Sequence, residues 1–264
     1  MSDLSVLQYV LVALIFVWSG FVRSGLGFGG SVMSLPFLLL VDDRPLVFLP
    51  IISVHLLFFA SLTIYLNNKQ SRQRVDSNKT VSTAVTGTVD WSYLKNSLVI
   101  MLIPKLIGVF GLITLPHVVM SAIIFIIVGC YAVSYVLARP FISNSKTLDI
   151  VFLALGGYIS GTSLIGAPLI IAVYSRHVAR EQLRDTLFAL WFILVSIKMC
   201  ALVWAGIDLQ LIHALALLPV AGLGHVFGLR LHTFLLKAET KVFYRVLGVV
   251  LLLVSIIGLF SVLS

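Results

Sequence analysis

The stretch "SGLGFGGSVMSLP", residues 24–36, places four glycines and a proline inside a long apolar segment. A second stretch of the same kind, "SGTSLIGAP", occupies residues 160–168. Glycine and proline both disfavour the interior of a regular helix, so each stretch predicts a break in a helix. The serine-glycine pair that opens the first stretch opens the second one 136 residues later, which indicates that the two breaks are related.

The composition around these breaks predicts a polytopic α-helical membrane protein. Of 264 residues, 60% are hydrophobic and 11% are charged, and the mean hydropathy is +1.12. A soluble domain needs more charge to cover its surface. Apolar runs of about 18 residues or more, each long enough to cross a bilayer, recur along the chain. The net charge of +8 is interpreted as the excess of lysine and arginine that membrane proteins carry in their cytoplasmic loops, so no nucleic acid partner is expected.

The first break does not fit a single straight span. A helix over residues 5–41 would be roughly 55 Å long, whereas the bilayer core is about 30 Å thick. Eight simple spans would put seven loop cations on one face and eight on the other, which gives no orientation. If each broken segment enters and returns as a hairpin, fourteen loop cations share one face and Arg44 lies alone on the other. Loop cations favour the cytoplasm, so both termini are predicted to be periplasmic.

The predicted fold class is an all-α membrane protein built from two inverted repeats, each a broken helical hairpin followed by three transmembrane helices. The first repeat covers residues 1–140, with a hairpin at 5–41, spans at 45–66, 97–115 and 118–137, and a cytoplasmic loop at 67–96. The second repeat covers residues 141–264, with a hairpin at 148–175 and spans at 185–206, 209–229 and 242–263. Inverted repeats with broken helices are a recurrent design of transporters.

The breaks themselves are candidate binding sites. Where a helix restarts, its free N–H groups and the positive end of its dipole favour an anion. The alternative is helix packing, in which small residues let membrane helices approach closely. The candidate substrate-binding residues are Ser24, Gly25, Gly27, Gly29, Gly30 and Ser31 at the first break, and Ser160, Gly161, Thr162, Ser163 and Gly166 at the second. If they bind an anion, alanine at Gly29, Gly30 or Gly166 should weaken binding before it lowers stability.

Three cations, Arg23, Lys105 and Lys198, lie within apolar runs, and no aspartate or glutamate is expected beside them in the core. Ionisable residues inside a membrane are costly and often functional. Without acidic partners they favour an anionic substrate over a metal cation, so neither a metal nor another cofactor is expected. Lys105, Lys198 and His55 join the candidate binding residues, although snorkelling of the lysines and packing of the imidazole remain alternatives. Arg23 is expected to reach the cytoplasmic interface.

These motifs resemble those of the TauE/SafE sulfite exporter family of membrane transporters. The resemblance rests on the glycine pattern of residues 25–36, on the "GAP" at 166–168, and on "PKLIGVFGL" at 104–112, which "PVAGLGHVFGL" at 219–229 echoes. It covers essentially the whole chain. It implies a transporter of the bacterial inner membrane that moves small sulfur-containing anions, sulfite or organosulfonates, in the direction of export. The expected mechanism is alternating access, with the anion held between the breaks, and the alternative is a passive anion channel.

The remaining sequence features do not indicate an enzyme. A Walker A motif, an H-E-x-x-H motif and a pair of core carboxylates are all missing from the sequence, so no enzymatic activity is expected. Both cysteines lie inside apolar runs and are interpreted as packing residues. The expected partners are therefore the small sulfur-containing anion and the lipid bilayer, and assembly into a homodimer is left open.

Overall fold

The computed structural model describes residues 1, 4–26, 30–77, 88–235 and 240–264. Within these ranges all regular secondary structure is helical. The ten helices are α1 (Val6–Leu26), α2 (Gly30–Val41), α3 (Pro45–Ser77), α4 (Trp91–Thr114), α5 (His117–Val136), α6 (Lys146–Ser163), α7 (Ala167–His177), α8 (Arg180–Trp204), α9 (Leu211–Leu235) and α10 (Thr240–Leu263). The prediction of an all-α protein is confirmed for the described residues.

Seven of these helices are long and apolar enough to cross a membrane. They are α1, α3, α4, α5, α8, α9 and α10, as judged by length and composition. α2 is a shorter apolar helix, only 12 residues long, and α7 has 11 residues. A straight span needs about 20 residues, so α2 and α7 are too short to cross a bilayer alone. The prediction of a multi-pass helical membrane protein is confirmed at this level.

Helices α3 and α4 extend into the segment predicted to be the loop 67–96. α3 continues to Ser77 and α4 begins at Trp91, while residues 78–87 of the predicted loop lie outside the described part of the chain. The lysine, glutamines and arginines that follow the apolar run are good helix formers, so the helix does not end where the hydrophobicity does. α4 begins with an N-cap, since the Asp90 side chain accepts a hydrogen bond from the N–H of Tyr93 at 3.0 Å.

Each broken segment turns back on itself. Near the start of α1, Gln8 Nε2 donates a 2.9 Å hydrogen bond to the carbonyl oxygen of Val41 at the end of α2. Near the start of α6, a carboxylate oxygen of Asp149 lies 2.9 Å from Nε2 of His177 and 3.5 Å from Nη1 of Arg176, both at the end of α7. α1 and α2 are therefore antiparallel, as are α6 and α7, and polar contacts join the open ends of both pairs.

Glycines let the first helix of each pair approach a neighbouring helix backbone to backbone. α1 lies along α9, where a methyl group added at Gly20 would overlap the carbonyl oxygen of Ala221. α6 lies along α4, where a methyl group at Gly161 would overlap the carbonyl oxygen of Lys105. α3 packs against α8, and α5 packs against α10. Small residues thus set the closest helix contacts, as is usual in membranes, whereas the two-repeat organisation stays a prediction.

Candidate functional site

The two helix breaks meet at one small cavity inside the bundle. Gly30 and Ser31 at the start of α2 line it from one side, and Ser160 and Leu164 at the end of α6 line it from the other. The Ser31 hydroxyl donates a 2.7 Å hydrogen bond to the carbonyl oxygen of Leu164, which joins the two breaks directly. The free space is about 40 Å³, enough for a few water molecules or a small ion.

One cation and an apolar wall complete the cavity. The further lining residues are Arg23 from α1, Leu56 from α3, Ala167 from α7, and Phe188, Trp191 and Val195 from α8. No carboxylate belongs to the described residues that line it. None of these further lining residues was a candidate substrate-binding residue in the sequence analysis. The wall residues look like ordinary core positions in the sequence, since nothing local marks an apolar side chain as facing a cavity.

The second break turns at a leucine and not at a glycine. Leu164 ends α6 with φ 62° and ψ 10°, in the left-handed region that side chains other than glycine rarely adopt. Gly166, which precedes α7, has φ −69° and ψ −6°, a conformation open to any residue. Pro168 follows in the first turn of α7, where its missing N–H leaves no acceptor unpaired. The backbone strain of the break, of order 1–2 kcal/mol, is therefore concentrated at Leu164, which lines the cavity.

The glycines of the second break lie against helix backbones, which favours the packing alternative. The contact of Gly161 with α4 leaves no room for a side chain, and a methyl group added at Gly166 would overlap the carbonyl oxygen of Gly156. These neighbours are backbone atoms of helices, which cannot rotate aside. The expectation that alanine at Gly166 would weaken binding before it lowers stability stays a prediction, although the steric conflict with α6 favours a loss of stability.

The first break is described in part. Gly30 lines the cavity, and a methyl group there would lie 3.0 Å from Cβ of Arg23, so the two residues are in contact. Gly25 belongs to the last turn of α1. Gly27 and Gly29, which were also candidate binding residues, lie outside the described residues. The part of the first break that the structure describes thus contributes Gly30, Ser31 and Arg23 to the cavity.

Both buried lysines donate hydrogen bonds to the C-terminal end of α6. Lys105 and Lys198 have no exposed surface, which excludes snorkelling. Lys105 Nζ donates to Oγ and to the carbonyl oxygen of Ser160, at 3.2 and 3.4 Å, and Lys198 Nζ donates to the carbonyl oxygen of Thr162 at 3.2 Å. The last carbonyls of a helix lack intrahelical partners and carry the negative end of its dipole. The lysines therefore stabilise the end of α6, and neither lines the cavity.

Ser160 carries the predicted hydroxyl that is best placed to contact a ligand. Its oxygen accepts a hydrogen bond from Lys105, and its side chain lines the cavity, so its hydroxyl hydrogen is available to a bound molecule. The hydroxyls of Thr162 and Ser163 instead donate to the carbonyl oxygen of Ile159, at 3.1 and 3.0 Å. A hydroxyl that donates to a carbonyl oxygen one turn earlier in its own helix already has a hydrogen-bond partner. The structure does not bring Thr162 or Ser163 to the cavity.

Ser24 and His55 contact neighbouring helices. The Ser24 hydroxyl is hydrogen-bonded to Nδ1 of His225 on α9. His55 is 2% exposed, its Nε2 donates to the carbonyl oxygen of Ala214 at 2.7 Å, and its ring packs edge-on against Phe16 with 5.0 Å between centroids. These contacts favour the packing alternative for both residues. Neither residue lines the cavity, so their role as substrate contacts stays a prediction.

Arg23 is the charged residue among the described residues that line the cavity. It is 7% exposed, and its guanidinium carbon lies 3.9 Å from the ring centroid of Phe59. Its Nε and Nη2 atoms are buried without a hydrogen-bond partner among the residues that the structure describes. Arg23 lies at the end of the candidate span Val6–Ser24, so the expectation that it reaches the cytoplasmic interface stays a prediction. Its position directly before the serine-glycine pair of the first break was the sequence signal that could have identified it.

Two carboxylates are buried as well, but the polar contacts of Asp149 within the described residues are to residues other than the three core cations. Asp149 is 8% exposed and Asp185 is 5% exposed. At Asp149, at the start of α6, burial raises the pKa. Hydrogen bonds from Ser143 and His177, together with the charge of Arg176, lower the pKa by a larger amount, so the net shift is downward. Asp149 therefore belongs to the contact that joins α6 to α7, and neither carboxylate lines the cavity.

The described residues contain no group of three or more histidine, cysteine, aspartate or glutamate side chains that could hold a metal ion. Comparison of the chain with protein-family models, with curated proteins and with solved structures finds no match. The resemblance to the TauE/SafE sulfite exporters therefore rests on the sequence motifs alone and stays a prediction. What the cavity can do has to be argued from its own residues.

Proposed function

We propose that the chain is a membrane transporter that moves a small anion by alternating access and binds it between the two helix breaks. The observation that carries this proposal is the meeting of the breaks at one cavity, lined by Gly30 and Ser31 from one break and by Ser160 and Leu164 from the other. Both restarting helices, α2 and α7, place first-turn residues at the cavity, and first-turn N–H groups favour anions. Transporters with broken helices bind substrates in this way.

The proposed carrier consists of two inverted repeats, α1 to α5 and α6 to α10. Helix pairing supports this division, because α1 lies along α9 while its counterpart α6 lies along α4, the counterpart of α9. The pairs α3 with α8 and α5 with α10 each join a helix to its own counterpart, as expected near a twofold axis. In such an arrangement one group of helices can rock against the other around a fixed site.

The proposed cargo is a small sulfur-containing anion, sulfite or an organosulfonate, and the proposed direction is export. The cargo follows from the resemblance to the TauE/SafE sulfite exporters. Exit of an anion from a cell with a negative interior is favourable by roughly 2.3 kcal/mol per charge per 100 mV, so export requires no coupling ion. The proposed location is the bacterial inner membrane with both termini in the periplasm, which the distribution of fourteen loop cations against one supports.

Flux through proteoliposomes tests the proposal. The purified chain is reconstituted, and efflux of sulfite, sulfate, thiosulfate, taurine and sulfoacetate is compared with protein-free liposomes. A carrier should show saturable efflux of at least one of these compounds, accelerated by the same compound outside. Non-saturating electrical conductance would instead identify a passive anion channel. Flux equal to that of protein-free liposomes for all five compounds would contradict the proposal.

A further inference from the structure

We infer that Arg23 is the anion-binding residue of the cavity and that the site accepts a small organic monoanion, an oxyanion head on a short apolar group. The inference rests on the proposed function, because the cavity is the one that would carry the transported anion. It adds a binding residue and a ligand class that the helix breaks alone do not provide.

Arg23 carries a positive charge that the described residues leave uncompensated. Arg23 is only 7% exposed. Both Nε and Nη2 are buried without a hydrogen-bond partner among those residues. The Phe59 ring, 3.9 Å away, offers a cation–π contact but accepts neither N–H in the plane of the guanidinium. A guanidinium matches two oxygen atoms of an anion through parallel N–H groups. Arg23 lines the cavity, so an oxyanion bound there would accept hydrogen bonds from these unpaired N–H groups once the side chain turns them toward it.

The start of α2 supplies further donors beside Arg23. Gly30 and Ser31 are the first two residues of this 12-residue helix, and both line the cavity. First-turn N–H groups have no acceptor within their helix, and the dipole adds partial positive charge. The contact between Gly30 and Cβ of Arg23 brings these donors to the same side of the cavity. Across the cavity, the Ser160 hydroxyl, whose oxygen is held by Lys105, can donate as well.

The charge of the site favours a single negative charge on the ligand. Arg23 is the one charged residue among the described residues that line the cavity. Lys105 and Lys198 donate to the end of α6 and do not line it. A monoanion beside Arg23 forms a neutral pair, whereas a dianion leaves a net negative charge in surroundings of low polarity, which is costly.

The wall formed by α3 and α8 favours an apolar substituent. Leu56, Phe188, Trp191 and Val195 cover this side of the cavity. An oxygen atom that points at aliphatic and aromatic carbon loses its hydrogen bonds to water without replacement. A methyl-sized group in that position has no hydrogen bonds to water to lose, and it buries apolar surface against the wall. Methanesulfonate combines these properties, and sulfate has nearly the same shape with a second charge and a fourth oxygen.

Calorimetric titration of the purified full chain in detergent tests the inference without requiring transport. We expect methanesulfonate to bind at least about tenfold more tightly than sulfate. Arg23→Gln should weaken methanesulfonate binding by about 10- to 100-fold, the usual effect of losing a charged hydrogen-bonding partner. It should not lower the melting temperature of the ligand-free protein, because an uncompensated buried charge is removed. Arg180→Gln removes an exposed guanidinium at the start of α8 and should leave the affinity within about twofold.

Several results would overturn the inference. They are a wild-type protein that binds sulfate as tightly as methanesulfonate or binds neither, and an Arg23→Gln variant with wild-type affinity. If Arg23→Gln does not fold, Arg23→Lys keeps the charge but loses the paired N–H geometry, and unchanged affinity in that variant would overturn the inference equally. Saturable flux that survives Arg23→Gln rejects the site and keeps the transporter. Binding that depends on Arg23, without flux in the wild type, rejects the transporter and keeps the site.

Discussion

Replacing Gly166 with alanine should destabilise the protein, because the glycine lets the start of α7 touch the backbone of α6. The added methyl group would overlap the carbonyl oxygen of Gly156 and lie 3.0 Å from its carbonyl carbon. It would also lie 3.1 Å from the backbone nitrogen of Ser160. All three atoms belong to a helix backbone, so relief of the overlap requires α6 and α7 to move apart.

The size of the effect follows from this overlap. Overpacking typically costs about 1–3 kcal/mol, and a rigid backbone neighbour places this site in the upper half of that range. Alanine at an N-cap position brings no compensating gain, since glycine is preferred there. At roughly 2–4 °C per kcal/mol for a chain near this size, the melting temperature should fall by roughly 4–12 °C.

Gly222 in α9 provides the matched control. A methyl group added there meets nothing within 4 Å, so Gly222→Ala should stabilise the protein by up to about 1 kcal/mol through helix propensity. Thermal unfolding of both variants in the same detergent, followed by circular dichroism, measures the difference. A Gly166→Ala protein that melts at or above the wild-type temperature would refute packing at this position and would favour a role in ligand binding.

The polar contacts of α6 allow further predictions. Lys105→Met should lower the melting temperature and weaken methanesulfonate binding, because the Ser160 hydroxyl loses the donor that orients it; calorimetry showing unchanged affinity would contradict this. Lys198→Met should lower the melting temperature and leave the affinity unchanged, and a loss of affinity would place Lys198 at the site. Asp149→Asn should lower the melting temperature at neutral pH. The lowered pKa of this carboxyl makes its stabilising contribution complete above about pH 4 and lost as the pH falls below that value. The difference in melting temperature between Asp149→Asn and the wild type should therefore shrink between about pH 7 and pH 3. A difference that stays constant over this range would show that the charge of Asp149 is not its cause. Glu181→Gln, which changes an exposed carboxyl, is the control.

The class of the protein and the positions of both helix breaks could be predicted from the sequence alone. Whether a segment can cross a bilayer depends on the length of its own apolar run, and seven helices meet that condition. A break depends on residues that disfavour the helix locally. α6 does end at Ser163 and α7 begins at Ala167, and the chain reverses direction between α1 and α2. Both properties belong to short stretches of chain, so no knowledge of packing is needed.

The role of each residue at the breaks could not be predicted in this way. Glycine in a sequence indicates only that space is needed at Cα. At Gly161 and Gly166 a neighbouring helix occupies that space. At Gly30 a methyl group would lie 3.0 Å from Cβ of Arg23 and 3.2 Å from the carbonyl oxygen of Ser19, although Gly30 also lines the cavity. The residue that turns the backbone at the second break is Leu164, which has no sequence preference for its left-handed conformation. It adopts that conformation in a bundle where its carbonyl oxygen accepts a hydrogen bond from Ser31.

The tertiary structure also decided which buried cation lines the cavity. Arg23, Lys105 and Lys198 are each a single cation in an apolar run, so charge and hydropathy alone do not separate them, and only the position of Arg23 before the first break sets it apart. The lysine ammonium groups donate to carbonyl oxygens of α6, whereas Arg23 is the cation that lines the cavity. The direction of a side chain depends on how its helix is rotated against its neighbours. That rotation is set by contacts between distant parts of the chain, such as the hydrogen bond that joins the two breaks across 133 residues, and no local pattern encodes it.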